Sequence, residues 1–215
     1  MPNFPKCYKI SSKPHKFCPG CGYGIILKNL GRVIDEEKLA PDFAFFTDIG
    51  CNLLAWDFFD LPTTQTHHGR TVPTAVGFKM AQPFKMVVCL IGDGGGYAIG
   101  LQNLIHACLR KSPITVILVN NTNYGMAGGQ LSPTSAGQIG KIFMGPEFLR
   151  KLAWPKAYLA RASSEKPDMI KDCLRKAIKA QRGSHFSFVE IISACPLNWK
   201  TNAAQTIARV KALEK

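Results

Sequence analysis

No apolar run in the sequence approaches the ~20 residues needed to span a bilayer. The longest are Met86–Ile91 and Ile114–Val119, so a membrane protein is not expected. The first residues, Met1-Pro-Asn-Phe-Pro-Lys6, lack the basic start, apolar stretch and small-residue cleavage site of a secretory signal. A cytoplasmic location is expected from that. Internal repeats, low-complexity tracts and an interdomain linker are also missing, and residues 1–215 are expected to form one domain. Acidic residues are scarce, 14 Asp and Glu against 27 Lys and Arg, which leaves a net charge of +13. With 46% hydrophobic and 19% charged residues the chain is not a disordered one. A chain of this length buries roughly 70% of its unfolded surface, enough for a core without disulfide staples.

A basic excess suits nucleic acid, an anionic cofactor or an acidic protein partner. No Arg/aromatic alternation suggests a base-stacking platform, so no nucleic-acid partner is expected. The densest basic run is Lys171, Arg175, Lys176, Lys179 and Arg182. It matches the solvated face of a helix whose other side carries Ile170, Cys173, Leu174, Ala177 and Ile178.

Strand-like apolar runs are expected at 43–48, 86–91, 114–120, 157–161 and 186–192. Helical patterns fall at about 22–38, 73–81, 97–109, 146–152 and 167–182. Continuous apolar strands alternating with helices predict an α/β fold, a doubly wound, mainly parallel sheet covered on both faces. Ligands of such sheets bind at the carboxyl ends of the strands. The Gly-, Ser-, Thr- and Asn-rich stretch 121–141 is long for a spacer and reads as a functional loop.

Gly92-Asp93-Gly94-Gly95-Gly96 follows a strand and opens a helix. Glycines there let backbone N–H groups approach a phosphate at a helix N-terminus. Asp93 would repel that anion unless a divalent cation lies between them. Twenty-eight residues after Asp93 the next strand closes on Asn120-Asn121. This pattern resembles the binding motif of thiamine diphosphate enzymes. The resemblance implies Mg2+ held by the Asp93 carboxylate, the Asn121 side chain and the Asn123 backbone carbonyl.

Of eight cysteines, Cys89, Cys108 and Cys173 sit in apolar patterns and read as small core residues. Cys18, Cys21, Cys51 and Cys195 instead lie at Gly- or Pro-marked breaks. Cys18-Pro-Gly-Cys21 heads a helix, while Cys51 and Cys195 follow strands that should end on the same edge as the diphosphate motif. A redox-active CxxC pair, a structural four-cysteine zinc site and a [4Fe–4S] cluster all fit such cysteines. Spacing alone does not separate zinc from iron–sulfur.

The ordered set Cys18-Pro-Gly-Cys-Gly-Tyr-Gly24, Asp48-Ile-Gly-Cys51, His67-His-Gly-Arg70, Gly92-Asp-Gly94, Asn120-Asn-Thr-Asn-Tyr-Gly-Met126, Gly128-Gly-Gln130, Ser132-Pro-Thr134, Val189-Glu190 and Ser193-Ala-Cys-Pro-Leu-Asn-Trp199 covers most of the chain. It resembles the β subunit of 2-oxoacid:ferredoxin oxidoreductases, closer to the 2-oxoglutarate and 2-oxoisovalerate branches than to pyruvate enzymes. The resemblance implies a thiamine diphosphate-binding fold with an N-terminal CxxC cluster-binding segment and a C-terminal extension. It implies that Cys18, Cys21, Cys51 and Cys195 ligate a [4Fe–4S] cluster. It places Gly50, Cys51, His68, Arg70, Gly92, Asp93, Gly94, Gly95, Asn121, Asn123, Gly125 and Met126 around the cofactor, with His68 and Arg70 catalytic.

The same resemblance implies an α subunit that supplies a Glu for the cofactor's pyrimidine together with the oxoacid and coenzyme A contacts. It allows γ and ferredoxin-like δ subunits, with ferredoxin as electron acceptor. Two departures stand out: Gly95 replaces the family's frequent acidic residue, and the stretch 140–160 is short. The alternative readings are a non-redox thiamine-dependent decarboxylase or synthase subunit with a structural zinc site, and a basic nucleic-acid module with a four-cysteine zinc site.

Overall fold

Strands that are apolar at every position bury both faces, and the computed structural model places them between two helical layers. It describes residues 4–12, 14–135 and 145–214. The strands are β1 (Phe43–Thr47), β2 (Thr63–Gln65), β3 (Met86–Gly92), β4 (Thr115–Asn120), β5 (Asn123–Tyr124), β6 (Gln130–Leu131), β7 (Tyr158–Ser163) and β8 (Ser187–Ile192). Six form one sheet in the order β2-β1-β3-β4-β8-β7, every neighbouring pair parallel.

Alternate strand residues divide the core. Phe45, Val88, Ile117 and Val189 face α1 (Tyr23–Glu36) and a second long helix, Pro167–Arg182. Phe46, Cys89, Leu118 and Phe188 face α2 (Thr71–Ala81), the helix Leu101–Leu109 and Leu149 of a short helix, Gly145–Arg150. Helix α1 is held there by Ile26, Leu27, Leu30, Val33 and Ile34, a helical apolar stripe that is fully buried. Helix Pro167–Arg182 buries the predicted Ile170, Cys173, Leu174, Ala177 and Ile178. Its basic face is not free. Lys171 and Arg175 pair with Glu36 at 2.5 and 2.7 Å, Arg182 pairs with Glu37, and Lys176 pairs with Asp172 at 2.7 Å.

The expected helix over 97–109 is interrupted. A short helix, α3 (Asp93–Tyr97), ends at Ala98, and α4 (Leu101–Leu109) follows it. Gly69 and Gly100 meet at this break, where a Cβ on Gly100 would fall on the Gly95 carbonyl and Asn103 Nδ2 donates to the Gly69 carbonyl at 2.9 Å. Edge strand β2 is short and polar, so it carried no apolar signal. The helix Ala203–Leu213 is started by a capping box in which the Asn202 side chain accepts from Gln205 N–H and the Gln205 side chain from Asn202 N–H. Residues 136–141 of the predicted loop, and 140–144 of the shortened stretch, lie outside the described residues. Among the described residues no helix is long and apolar enough to cross a membrane.

Parallel pairing sets the register of the sheet's carboxyl edge: Thr47 opposite Leu90, Gly92 opposite Val119 and Asn120 opposite Ile192. Asp48, Asp93, Asn121 and the segment Ser193–Cys195 therefore leave the sheet on one rim.

Candidate cofactor and cysteine site

That rim opens into a cavity of about 580 Å3. Eleven of the twelve residues expected around the cofactor line it: Gly50, Cys51, His68, Gly92, Asp93, Gly94, Gly95, Asn121, Asn123, Gly125 and Met126. Arg70 does not. It is exposed and stands at the N-terminal end of α2, because the His67–Arg70 turn directs only His68 inward.

Asp93 is buried, and its Oδ2 accepts from Ser132 Oγ at 2.5 Å and Thr134 Oγ1 at 2.9 Å. Burial pushes its carboxyl above the ordinary range, and the two hydroxyls pull it part of the way back. Asn121 and Asn123 face the same space. Asn121 Oδ1 accepts from Asn123 N–H at 3.2 Å, and Asn123 Nδ2 donates to the Asn121 carbonyl at 2.7 Å. Between them Thr122 holds φ = 60° with its Oγ1 buried and unpaired. A β-branched residue in that region is strained and needs surrounding structure to hold it. A buried carboxylate, an amide oxygen and a strained turn carrying a backbone carbonyl form an oxygen donor set for a hard divalent cation. The residues fit Mg2+ and a diphosphate.

The glycines fit too. A Cβ at Gly94 would overlap the Tyr124 ring, and one at Gly95 would overlap Asp48 Oδ2. The acidic group missing at position 95 is thus replaced in space by Asp48. The Asp48 carboxylate accepts from Gly69 and Ile49 N–H through Oδ1, both at 2.9 Å, and sets Oδ2 3.4 Å from His68 Nδ1. We expect Gly95→Ala to cost about 1–3 kcal/mol of stability by overpacking against this buried carboxylate. Denaturant titration of the variant checks it, and a wild-type midpoint would contradict the packing.

The cysteines gather at the same rim. Cys18 is exposed, Cys21 and Cys51 are half-buried, Cys195 is buried, and all are free thiols. The Cys18–Cys21 turn is pinned beside Cys195 by Gly22 N–H donating to the Ala194 carbonyl at 3.2 Å. A Cβ on Gly125 would stand 2.8 Å from Cys51 Sγ, and Cys195 Sγ lies 3.8 Å from Asn123 Oδ1. Burial, then the charges of the other three cysteines, raises Cys21 to about 12. Burial, with Cys195 and Cys18 among the neighbouring charges, raises Cys51 to about 11. Thiols held this way ionise when a cation binds them, so the donor set fits a metal centre. Among the described residues no three His, Cys, Asp or Glu side chains converge at ligand distance. The motif around Asp93 supplies one carboxylate only, and the four cysteines are close enough at the rim for their charges to act on one another.

Residues 48–191 match the family model for the thiamine pyrophosphate enzyme C-terminal TPP binding domain. The chain is 35% identical over 192 residues to the 2-oxoglutarate synthase subunit KorB of Methanocaldococcus jannaschii, covering 85% of this chain and 70% of that protein. It is 32% identical over 204 residues to the ketoisovalerate oxidoreductase subunit VorA of Methanothermobacter marburgensis, covering 87% of this chain but 43% of that one. The chain belongs to the thiamine diphosphate-binding β subunits of 2-oxoacid:ferredoxin oxidoreductases. A solved 2-oxoglutarate:ferredoxin oxidoreductase from Magnetococcus marinus superposes with a TM-score of 0.79 at 29% identity, over 97% of this chain and 72% of that one.

Several residues of this β subunit's site carried no role in the sequence. Tyr23, Ile49, Asn52, Leu53, Tyr124, Ala127 and Gln130 also line the cavity. Tyr23 reaches Asn52 through a hydrogen bond from its hydroxyl. Behind the Asn120-Asn121 pair, buried Glu190 accepts from Asn120 Nδ2 and Tyr97 Oη, each at 3.0 Å, and from Arg161 Nε at 2.6 Å. Thr134 Oγ1 stands 3.1 Å from Asn120 Oδ1 and 2.9 Å from Asp93 Oδ2, so its single hydrogen is shared between the two acceptors. In the sequence Asn120, Thr134 and Glu190 stood only as members of the ordered motif set, and the charge of Glu190 inside the buried strand β8 is the signal that could have marked this network.

Proposed function

We propose that this chain is the thiamine diphosphate-, Mg2+- and [4Fe–4S]-binding half of a complex that oxidatively decarboxylates a 2-oxo acid. With coenzyme A the products are an acyl-CoA, CO2, a proton and two electrons, which pass to ferredoxin. The observation that carries this reading is the sharing of one cavity wall by Asp93, Asn121, Asn123 and Cys51. Coenzyme A and the 2-oxo acid come by likeness to the Magnetococcus enzyme, which has 2-oxoglutarate, coenzyme A and succinyl-CoA bound.

Thiamine diphosphate bound here would supply the nucleophile and electron sink for decarboxylating a 2-oxo acid. One-electron chemistry comes from a [4Fe–4S] cluster held by Cys18, Cys21, Cys51 and Cys195. The chain's own residues do the rest. Asp93, Asn121 and the Asn123 carbonyl hold Mg2+, and Gly94 and Gly95 let the diphosphate approach the α3 N-terminus. His68 presents its ring to the cavity from a carboxylate-backed position and exchanges protons there. Ile49, Leu53 and Met126 give the cavity apolar lining, Ile49 and Met126 being exposed on this chain. Arg70, exposed beside this wall, belongs at the edge the partner covers.

Among the described residues that line the cavity the only carboxylate is Asp93, and no glutamate lines it. The Glu that acts on the pyrimidine therefore comes from an α subunit, and the isolated chain is expected to show no 2-oxoacid-dependent reduction of a viologen dye. Turnover should appear on co-expression with that partner. Robust activity of the chain alone would refute the half-site. Anaerobically purified complex should be brown and bleach with dithionite; a colourless complex with stoichiometric zinc would favour the non-redox alternative.

The lining also bears on substrate. No Lys or Arg lines the cavity among the described residues, so this wall gives the distal carboxylate of 2-oxoglutarate no counter-charge. Any counter-charge for it comes from the partner's side of the cavity, where the oxoacid contacts are expected, and side-by-side assays of the complex with 2-oxoglutarate and 2-oxoisovalerate read which acid that side selects.

A further inference from the structure

The turn Cys195-Pro-Leu-Asn-Trp199 contributes more than its cysteine. Asn198 Nδ2 donates to the Gly125 carbonyl at 3.0 Å, to Asn123 Oδ1 at 3.3 Å and to Cys195 Sγ at 3.6 Å. An amide carries two hydrogens, so here two donors serve three acceptors. Next to it, Trp199 Nε1 donates to the Asn121 carbonyl at 3.1 Å. Asn123 and Gly125 line the cofactor cavity, whereas Cys195 lies behind it. Gly129 packs closely on Asn198, where an added Cβ would come within 3.0 Å.

We propose that Asn198 is a positioning residue that ties the sulfur ligand Cys195 to the wall of the cofactor cavity and tunes the reduction potential of the cluster. The proposal rests on the cluster reading above and goes beyond it. As a thiol, Cys195 is the donor toward Asn123 Oδ1 at 3.8 Å. As a metal-bound thiolate it has no proton to give, and the Asn198 N–H becomes its hydrogen-bond donor. Such a bond disperses charge on the sulfur, favours the more negative, reduced cluster and raises its potential. The other N–H, on Gly125, fixes the loop that carries Met126 at the cavity. One side chain thus braces both centres.

The test uses the assembled complex with Asn198→Leu, which removes the N–H at similar size, and Asn198→Asp, which replaces the donor by a carboxylate. Cluster potential is read by potentiometric titration followed by electron paramagnetic resonance. Affinity for thiamine diphosphate with Mg2+ is read by calorimetry. The midpoint potential should fall in Asn198→Leu and fall further in Asn198→Asp, and cofactor affinity should drop about five- to tenfold in both. An unchanged potential, a change in melting temperature alone, or failure of both variants to assemble would overturn the proposal in favour of a purely structural role. A wild-type complex without iron–sulfur would overturn the underlying reading, and the inference with it, before any variant is compared.

Discussion

Replacing Asp93 by Asn is expected to abolish Mg2+-dependent binding of thiamine diphosphate while making the cofactor-free complex harder to unfold. The two effects have one origin. Asp93 is buried on the strand edge, and burial raises its carboxyl above the ordinary range, more than the hydroxyls of Ser132 and Thr134 offset. The ionised form is therefore destabilised in the fold until a cation arrives. A carboxyl raised by folding binds its proton more tightly in the native state than in the unfolded chain. Its stabilisation is complete below the unfolded value and is lost as pH rises toward the folded one. Cofactor-free stability should accordingly decline as pH rises through and above the ordinary carboxylate range. Asp93→Asn should flatten that decline but not erase it, because Asp48 is raised by burial as well.

With Mg2+ and thiamine diphosphate added, the wild-type complex should gain melting temperature and the variant should not. Outer-shell changes at metal sites already cost about 10- to 100-fold in affinity, so loss of a ligand charge should cost at least about a hundredfold. Thermal denaturation across pH, with and without cofactor, reads both effects. An equal ligand-induced shift in the variant would remove Asp93 from the metal site.

The backbone of this site was legible because its signals are local. Apolar runs 86–91 and 114–120 announce strands, and Gly92–Gly96 and Asn120-Asn121 mark their ends. Parallel pairing then brings the ends together without further information. The side chains that support the ends were not legible. Ser132 and Thr134 reach Asp93 across 39 and 41 residues, and Glu190 reaches Asn120 across 70. No local pattern encodes such contacts. Gly95 is a sharper case. As a sequence feature it was a departure, a glycine where the family frequently has an acidic residue. In the fold it is the space into which Asp48 places its carboxylate. Arg70 shows the reverse: a motif neighbour of His68 that the turn carries to the surface.

Cys195→Ser should remove the iron–sulfur cluster and leave thiamine diphosphate in place. This variant separates the two centres better than Cys51→Ser. Cys51 lines the cofactor cavity, so changing it disturbs both, whereas Cys195 sits behind the wall. Serine keeps a hydroxyl able to donate to Asn123 Oδ1, the group that Cys195 Sγ approaches, so the cavity wall should hold its shape. The complex should assemble, bind thiamine diphosphate, lose its brown colour and iron, and reduce no viologen dye. Cys89→Ser is the matching control: Cys89 is fully buried in β3, away from the rim, and its loss should lower stability without touching iron content. The contrast depends on thiolate chemistry, since a serine hydroxyl is a far weaker acid than a thiol and a poor substitute for it as a ligand to iron. Wild-type iron in Cys195→Ser, or iron lost equally from Cys89→Ser, would break the assignment of the rim cysteines.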